Sequence, residues 1–427
     1  MKFMPFTREV GRNEALSIEL TDRSNGAVQG VAFFRVCMPV NVSLIKQAFS
    51  FVHQLHPMLR ARVERGGHLQ WRCDVDFSSI EFDVRILDGT LDFEREFYLQ
   101  GIHPVILEKM SYRVTIYVNS SGQVAWIAVT VNHAAMDAIS IVILFRYLDD
   151  YLKGKLCTPS KSLPFLQAVE QYLYKGGQEK KIPLPVAEEV PVPWLVEKPA
   201  AAPQRVGMAT YRKIPAESIV RLHDLAKKHR VKLAALYSAV AIYAGKCLPN
   251  SGLWNDILLP VNIRSLCNPP ISFDVIGEYI SFVDLVVSPD LCCKSVMSLA
   301  SLLQDKLSFI LRRESLRLAE QRPEYKLAEI IEKADFYAAK KPNFVSGICI
   351  SDVGCLESLV GELTFFDLRV AMTVQTHGAH PMMIATETTK SESIFSFGYC
   401  EPLTSRESAL CFISHFMGML NSLQFDS

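Results

Sequence analysis

The stretch IAVTVNHAAMDAISIVILFRYL, residues 127–148, decides how this chain is read. Up to Val131 it is a near-continuous apolar run, as in a buried strand. From Ala138 it reads as an apolar helix. Between the two lie Asn132 and His133, the spacer AAM, and Asp137. A strand-to-helix junction sets side chains on the rim of a sheet, where a substrate can reach them. A neutral imidazole in that place can take a proton from an attacking hydroxyl or amine near pH 7. The Asp beyond it can fix the loop or hold a cation that locks the imidazole's surroundings. The chain has 10 histidines, and no other one has Asp at the same spacing. A lone H-x-x-x-D also suits a buried structural histidine, so the pattern alone leaves both readings open.

Working outward, Ser111–Val118 and Val124–Val131 form a hairpin around the turn residues NSSGQ, 119–123. Val31–Val36 reads as a strand. Asn41–Val63 reads as a helix opened by a capping Asn, with Pro57 near its end as a breaker. After the helix 138–152, prolines recur from Thr158 to Arg205, in KIPLPVAEEVPVPWLVEKPAAAP (181–203). Such a run forms neither a continuous helix nor a central strand and reads as a long crossing linker. The second half resumes with helices over 216–228, 231–246, 294–313, 323–339 and about 405–423. Strands are expected over 256–262, 279–287, 345–351, 362–370, 382–388 and 393–399. Mixed strands and helices in both halves predict an α+β (mixed α/β) fold rather than a doubly wound parallel sheet. The expected division is an N-terminal lobe over 1–160, a linker over 161–205 and a C-terminal lobe over 206–427.

Composition excludes several classes. The chain has 427 residues, 49% hydrophobic and 21% charged, enough for two cores. Lys+Arg and Asp+Glu are both 45, so it lacks the basic excess of a nucleic-acid binder. The 11 cysteines are scattered and form no C-x-x-C pair, which argues against a zinc ribbon and a disulfide scaffold. No bound metal and no cofactor are expected. The apolar stretch 124–145 is interrupted by Asn132, His133 and Asp137, which disfavours a membrane span. The N-terminal residues lack an apolar signal-peptide core. A reduced, cytoplasmic monomer is the expectation. The P-loop, G-x-G-x-x-G, G-x-S-x-G and H-E-x-x-H patterns are all missing.

NHAAMDAIS resembles the H-H-x-x-x-D-G-x-S signature of the chloramphenicol-acetyltransferase-like superfamily, which includes condensation domains of peptide synthetases and several acyltransferase branches. Further segments fit in order. LHPMLRARV (55–63) resembles H-P-x-L-R, and LLPVNIRSLCNPP (258–270) resembles P-V-N-x-R. IGEYIS (276–281) resembles G-N-x-x-S. GICISDVGCLE (347–357) resembles the S-N-x-G strand end of the phthiocerol dimycocerosyl transferase branch. FSFGYCEPLTSRESALCFISHFMGML (395–420) fits the C-terminus. The alcohol acetyltransferase and dimycocerosyl transferase branches match best, and the matches span nearly the whole chain.

The resemblance implies two lobes, each a mixed sheet flanked by helices, with a tunnel between them. It implies an acyltransferase that moves an acyl group from acyl-CoA, or from a phosphopantetheine thioester on an acyl carrier protein, to a small-molecule acceptor. The acceptor group is a hydroxyl in preference to an amine, because the best matches are to O-acylating branches. A place in natural-product biosynthesis goes with it. His133 matches the catalytic base. Asp137 matches the motif Asp, which pairs with Arg264 away from substrate. Ala138, Asn132, Ser140, Thr373, Gln375, Ser351 and Asp352 are the oxyanion or tunnel candidates. Three departures stand out: Asn132 replaces the first His, Ala138 replaces the Gly, and Asp352 replaces the Asn of S-N-x-G. The rivals are a stand-alone condensation-type enzyme forming amides or rings on carrier-bound substrates, and a degenerate member that only binds a carrier protein.

Overall fold

The computed structural model describes residues 6–156, 162–173, 191–192, 194–246, 248, 255–288, 295–320 (backbone alone for 312–320), 323–389 and 392–423. The first half runs β1 (Phe6–Glu9), α1 (Arg12–Arg23), β2 (Gln29–Val36), α2 (Val42–Leu55), β3 (Ala61–Arg65), β4 (Leu69–Cys73), β5 (Phe82–Ile86), α3 (Phe93–Gly101), β6 (Tyr112–Val118), β7 (Val124–Asn132) and α4 (Ala138–Leu152). A short α5 (Val169–Leu173) leads to β8 (Val206–Pro215), α6 (Ala216–Lys228), α7 (Leu233–Gly245), β9 (Asp256–Asn262) and β10 (Ile280–Val286). Then follow α8 (Val296–Glu320), α9 (Leu327–Ala338), β11 (Ile348–Cys355), α10 (Leu356–Val360), β12 (Phe366–Thr373), β13 (Met383–Thr388), β14 (Glu392–Glu401) and α11 (Arg406–Leu423).

Two mixed sheets carry the fold, so it is the helix-flanked α/β mixture that the sequence indicates. The first is ordered β12-β2-β7-β6-β5 and the second β10-β9-β11-β13-β14-β8; β1, β4 and β3 make a small third sheet. In the first sheet β2 is buried on both faces, and the period of 2 divides its side chains. Ala32 and Phe34 join a core with Ala48 and Phe49 of α2 and Phe145 of α4. Val31 and Phe33 face the other way, into a cluster with Val370, Met372 and Ala209. Strands covered on both faces lose the polar alternation of a surface sheet, which is why β2 and β7 read as continuous apolar runs. In the second lobe α7 is buried nearly all round, as its sequence LAALYSAVAIYAG requires. It packs with Phe395 and Phe397 of β14 and Phe412 and Phe416 of α11.

The lobes are not consecutive chain segments. β12 leaves the second half and adds antiparallel to β2, so residues 206–427 supply an edge strand to the first lobe's sheet. Of the 161–205 linker, residues 162–173, 191–192 and 194–205 are described, while 161, 174–190 and 193 lie outside the described residues. Leu163 N–H donates to Leu55 O on the first lobe, and Val196 N–H to Pro342 O on the second. The helix expected to reach Val63 stops at Leu55, because Pro57 cannot continue it; residues 57–60 make one 3₁₀ turn and 61–65 become β3. The strand expected over 362–370 lies at 366–373, after α10. Among the described residues no helix is long and apolar enough to cross a membrane.

Candidate active site

His133 follows the last residue of β7, in the turn that enters α4. Its backbone N–H donates to Val28 O at 3.0 Å. Val28 has φ 57, a left-handed conformation unfavourable for a β-branched side chain, and its own N–H is held by Val374 O. The turn is thus gripped by a strained residue on one side. On the other, Asn132 is fully buried; its side chain donates to Thr21 Oγ1 at 2.9 Å and accepts from Ala134 N–H at 3.0 Å. Asn132 therefore shapes the turn and does not line the cavity described below.

Asp137 caps α4, accepting from Ser140 N–H at 2.8 Å. Across the lobe boundary, the Arg264 fork reaches both its oxygens at 2.7 and 3.1 Å, and Tyr279 N–H adds a bond at 3.0 Å. Ser140 Oγ donates to Gly277 O and accepts from Gly277 N–H and Arg264 Nη2. Arg264 is fully buried and lies over the Tyr279 ring, 4.6 Å from its centroid. A Cβ at Gly277 would sit 2.6 Å from the Tyr279 ring, so a larger residue there would push that ring aside. Burial works to raise the Asp137 pKa, but Arg264 and Ser140 outweigh it and hold it below the ordinary carboxylate range. Ser140, placed among the oxyanion candidates by the sequence, spends its hydroxyl in this clamp and is fully buried away from the cavity.

A cavity of about 450 Å³ lies between the lobes. His133 faces it with 19% of its side chain exposed. Ala138, Ser351, Thr373 and Gln375 also line it. Gln375 donates to Thr373 O at 3.2 Å, and its carbonyl oxygen has no partner among the described residues. Asp352 does not line the cavity: it accepts from Thr386 Oγ1 at 2.8 Å and Gly354 N–H at 3.0 Å, closing a turn.

Glu278 and Glu387 are the two acidic cavity residues of most consequence among those that escaped the sequence reading. Glu278 sits in IGEYIS where the G-N-x-x-S pattern has Asn, and that substitution was the available signal. Its Oε1 lies 3.5 Å from His133 Nδ1 and accepts from Ser17 Oγ at 3.3 Å. Burial works to lower the His133 pKa, but Glu278 outweighs it and the net shift is upward. Glu278 is itself raised, chiefly by burial, with Glu14 and Glu170 nearby adding to the effect. Glu387, on β13, is the second, and no motif marks it. His377 and His380 also line the wall, both kept neutral by burial. Among the described residues no group of three or more His, Cys, Asp or Glu is placed to hold a metal ion.

The architecture is that of known domains. The first condensation domain of the calcium-dependent antibiotic synthetase, in complex with a substrate analogue, superposes with a TM-score of 0.70 at 12% identity, covering 98% of this chain and 97% of that one. The epimerization domain from the third module of tyrocidine synthetase B gives 0.68 at 13% identity, over 99% and 98%. Polyketide synthase associated protein 5 from Mycobacterium tuberculosis gives 0.66 at 12%, over 98% and 97%. The fold is thus that of condensation and epimerization domains. No protein-family model matches the sequence, and no curated protein matches it.

Proposed function

We propose that the protein is an acyltransferase that moves an acyl group from a thioester, on coenzyme A or a carrier protein, to a hydroxyl. The observation that carries the reading is His133, held from behind by the interlobe clamp and facing a cavity open to both lobes. Glu278 stands at Nδ1, which leaves Nε2 as the basic nitrogen. Nε2 takes the acceptor's proton as its oxygen attacks the thioester carbonyl carbon. A C–O bond forms, and the carbonyl π pair becomes an oxyanion. On collapse the C–S bond breaks, the sulfur leaves with that bond's electrons, and the imidazolium returns the proton to it. The products are an ester and a free thiol. The imidazolium is stabilised by the Glu278 carboxylate in the transition state. Backbone N–H groups in the first turn of α4 near Ala138, with Thr373 and Gln375 opposite, are the donors suited to the oxyanion.

An amide-forming reaction on carrier-bound chains uses the same base and differs only in the nucleophile; the likeness to condensation domains favours it as the second reading. Purified protein offered a panel of acyl-CoA and acyl-carrier donors, each with alcohol and amine acceptors, separates the two by the mass of the product. Ester formation supports the first reading. Amide formation alone replaces it with the second, and no acyl transfer from any donor overturns both.

A further inference from the structure

Along β13 the side chains of Met383, Ala385 and Glu387 face the cavity, two residues apart. Glu387 is 1% exposed, and among the described residues neither carboxyl oxygen has a hydrogen-bond partner. A buried carboxyl in that condition is costly to the free protein. Its surroundings make it worse. Burial pushes its pKa up to about 8; the backbone amide of Ala371 is the next influence and opposes this, and Asp352 nearby adds a smaller upward push. Among the described residues the cavity wall carries three carboxylates, Glu278, Asp284 and Glu387, against a single Lys or Arg, Lys333. Glu278 faces His133, and Lys333 interacts with Asp284, so among the described residues of the wall no Lys or Arg is left for Glu387. The rest of the wall around these groups is largely apolar, with Val31, Met136, Ile141, Leu258 and Met372.

Resting on the acyl-transfer reading, we propose that Glu387 is the anchor for an ammonium group, so that one of the two substrates is an amphiphile carrying a protonated amine on an apolar chain. The ligand's N–H donors would satisfy both orphaned oxygens, and its charge would ionise the carboxyl. The amine belongs either to the acceptor or to the acyl chain of the donor, and the two sources are separable.

The test is binding rather than turnover. Affinities of octylammonium and 1-octanol, and of 6-aminohexanoyl-CoA and hexanoyl-CoA, are measured by calorimetry on the intact protein, its Glu387→Gln variant and its His133→Ala variant. An ammonium preference of tenfold or more in at least one pair is expected for the native protein. The pair that shows it identifies the source. Glu387→Gln abolishes that preference, while His133→Ala keeps it. Equal affinities within both pairs, or a preference that survives in Glu387→Gln, overturns the proposal. Failure of acyl transfer with the preference intact removes the enzymatic reading alone. Glu387→Met is the folding control: it exchanges an unsatisfied carboxyl for an apolar side chain of similar length and raises the melting temperature. The rise is larger at pH 9 than at pH 5, because the acid's raised pKa makes the native state lose stability as pH climbs through about 8. A lower melting temperature in both Glu387 variants would mark a structural residue and also overturn the proposal.

Discussion

Asp137 and Glu387 are equally buried, each about 1% exposed, yet they stand at opposite ends of the electrostatic range. Asp137 accepts from the Arg264 fork and from two backbone amides, and its carboxyl is held ionised. Glu387 has no such partners among the described residues and is pushed toward the neutral form. Burial alone therefore does not set the charge state of a carboxyl; the donors aimed at it do. The two walls of the site differ accordingly. The clamp behind His133 matches both Asp137 oxygens with Arg264, Ser140 and Tyr279, and leaves one nitrogen, Arg264 Nε, without a partner among the described residues. In the wall facing it, polar atoms of Gln375, His377 and both carboxyl oxygens of Glu387 have no partner among the described residues, the larger share of unmatched atoms at the site.

The sharpest break of that contrast is at His133, which belongs to neither wall's internal bonding. General-base assistance is worth roughly 10²–10⁴-fold in rate. His133→Ala is expected to lose at least a hundredfold in turnover, with a melting temperature close to that of the native protein. Near-native turnover in the folded variant would end the proposed mechanism.

The clamp is expected to yield the next largest effect, this time on stability. Removing one partner of a buried ion pair strands the other charge, at a cost of about 3–5 kcal/mol. Asp137→Asn and Arg264→Met should each destabilise by about that much and lower activity by displacing the His133 turn. The double variant should lose less than the two losses together, since no charge is then stranded. Denaturant melts of the four proteins measure this, and strictly additive losses would show the pair to be uncoupled. Asp137 also sets an acid limit. Its lowered pKa contributes stability above the unfolded value near 3.8, and that contribution fades as pH falls through the lower folded value. The penalty of Asp137→Asn should shrink below about pH 4.

The clamp was legible through the resemblance alone: NHAAMDAIS and LLPVNIRSLCNPP match family segments, and that match implied that Asp137 pairs with Arg264, a contact across 127 residues that no local spacing specifies. The apolar runs of β2, β7 and α7 were legible because they are buried on every side. The small sheet of β1, β3 and β4 was not, since Pro57 could as well kink a helix as end it, and β3 carries charged residues at its exposed end. The return of β12 to the first lobe has no local signature at all; only long-range pairing decides which sheet an edge strand joins. Glu278 was visible as a departure from a pattern, but not as a partner of His133. Glu387 was silent, because a lone Glu in a strand is an ordinary surface residue until the other lobe is folded over it.

The smallest effect expected, and the one that refines the contrast most, is at Glu278, where the two walls meet. Its carboxylate favours the imidazolium of His133, so the base is available only above a pKa raised from the ordinary 6.5. The activity of the native protein should therefore fall as pH drops, with its acid limb above pH 6.5. In Glu278→Gln the carboxylate is gone and burial is left as the main influence, which lowers the imidazole pKa. The acid limb should move to lower pH, and at pH 6 the variant keeps a larger fraction of its own maximum than the native protein does. Its plateau rate should be reduced by only about tenfold, from loss of charge stabilisation and of ring orientation. Stability gives a second reading with its sign fixed in advance. A histidine whose folded pKa is raised contributes stability below 6.5 and loses it as pH rises through the folded value. The raised Glu278 acts in the same direction, because the native state again holds the extra proton. Melting temperatures of the native protein and Glu278→Gln should thus differ most in the native protein's favour near pH 6, and the native advantage should shrink by pH 8. A limb that stays in place in the variant, with an unchanged plateau, would mean that Glu278 belongs to the structural wall and leaves the His133 proton alone.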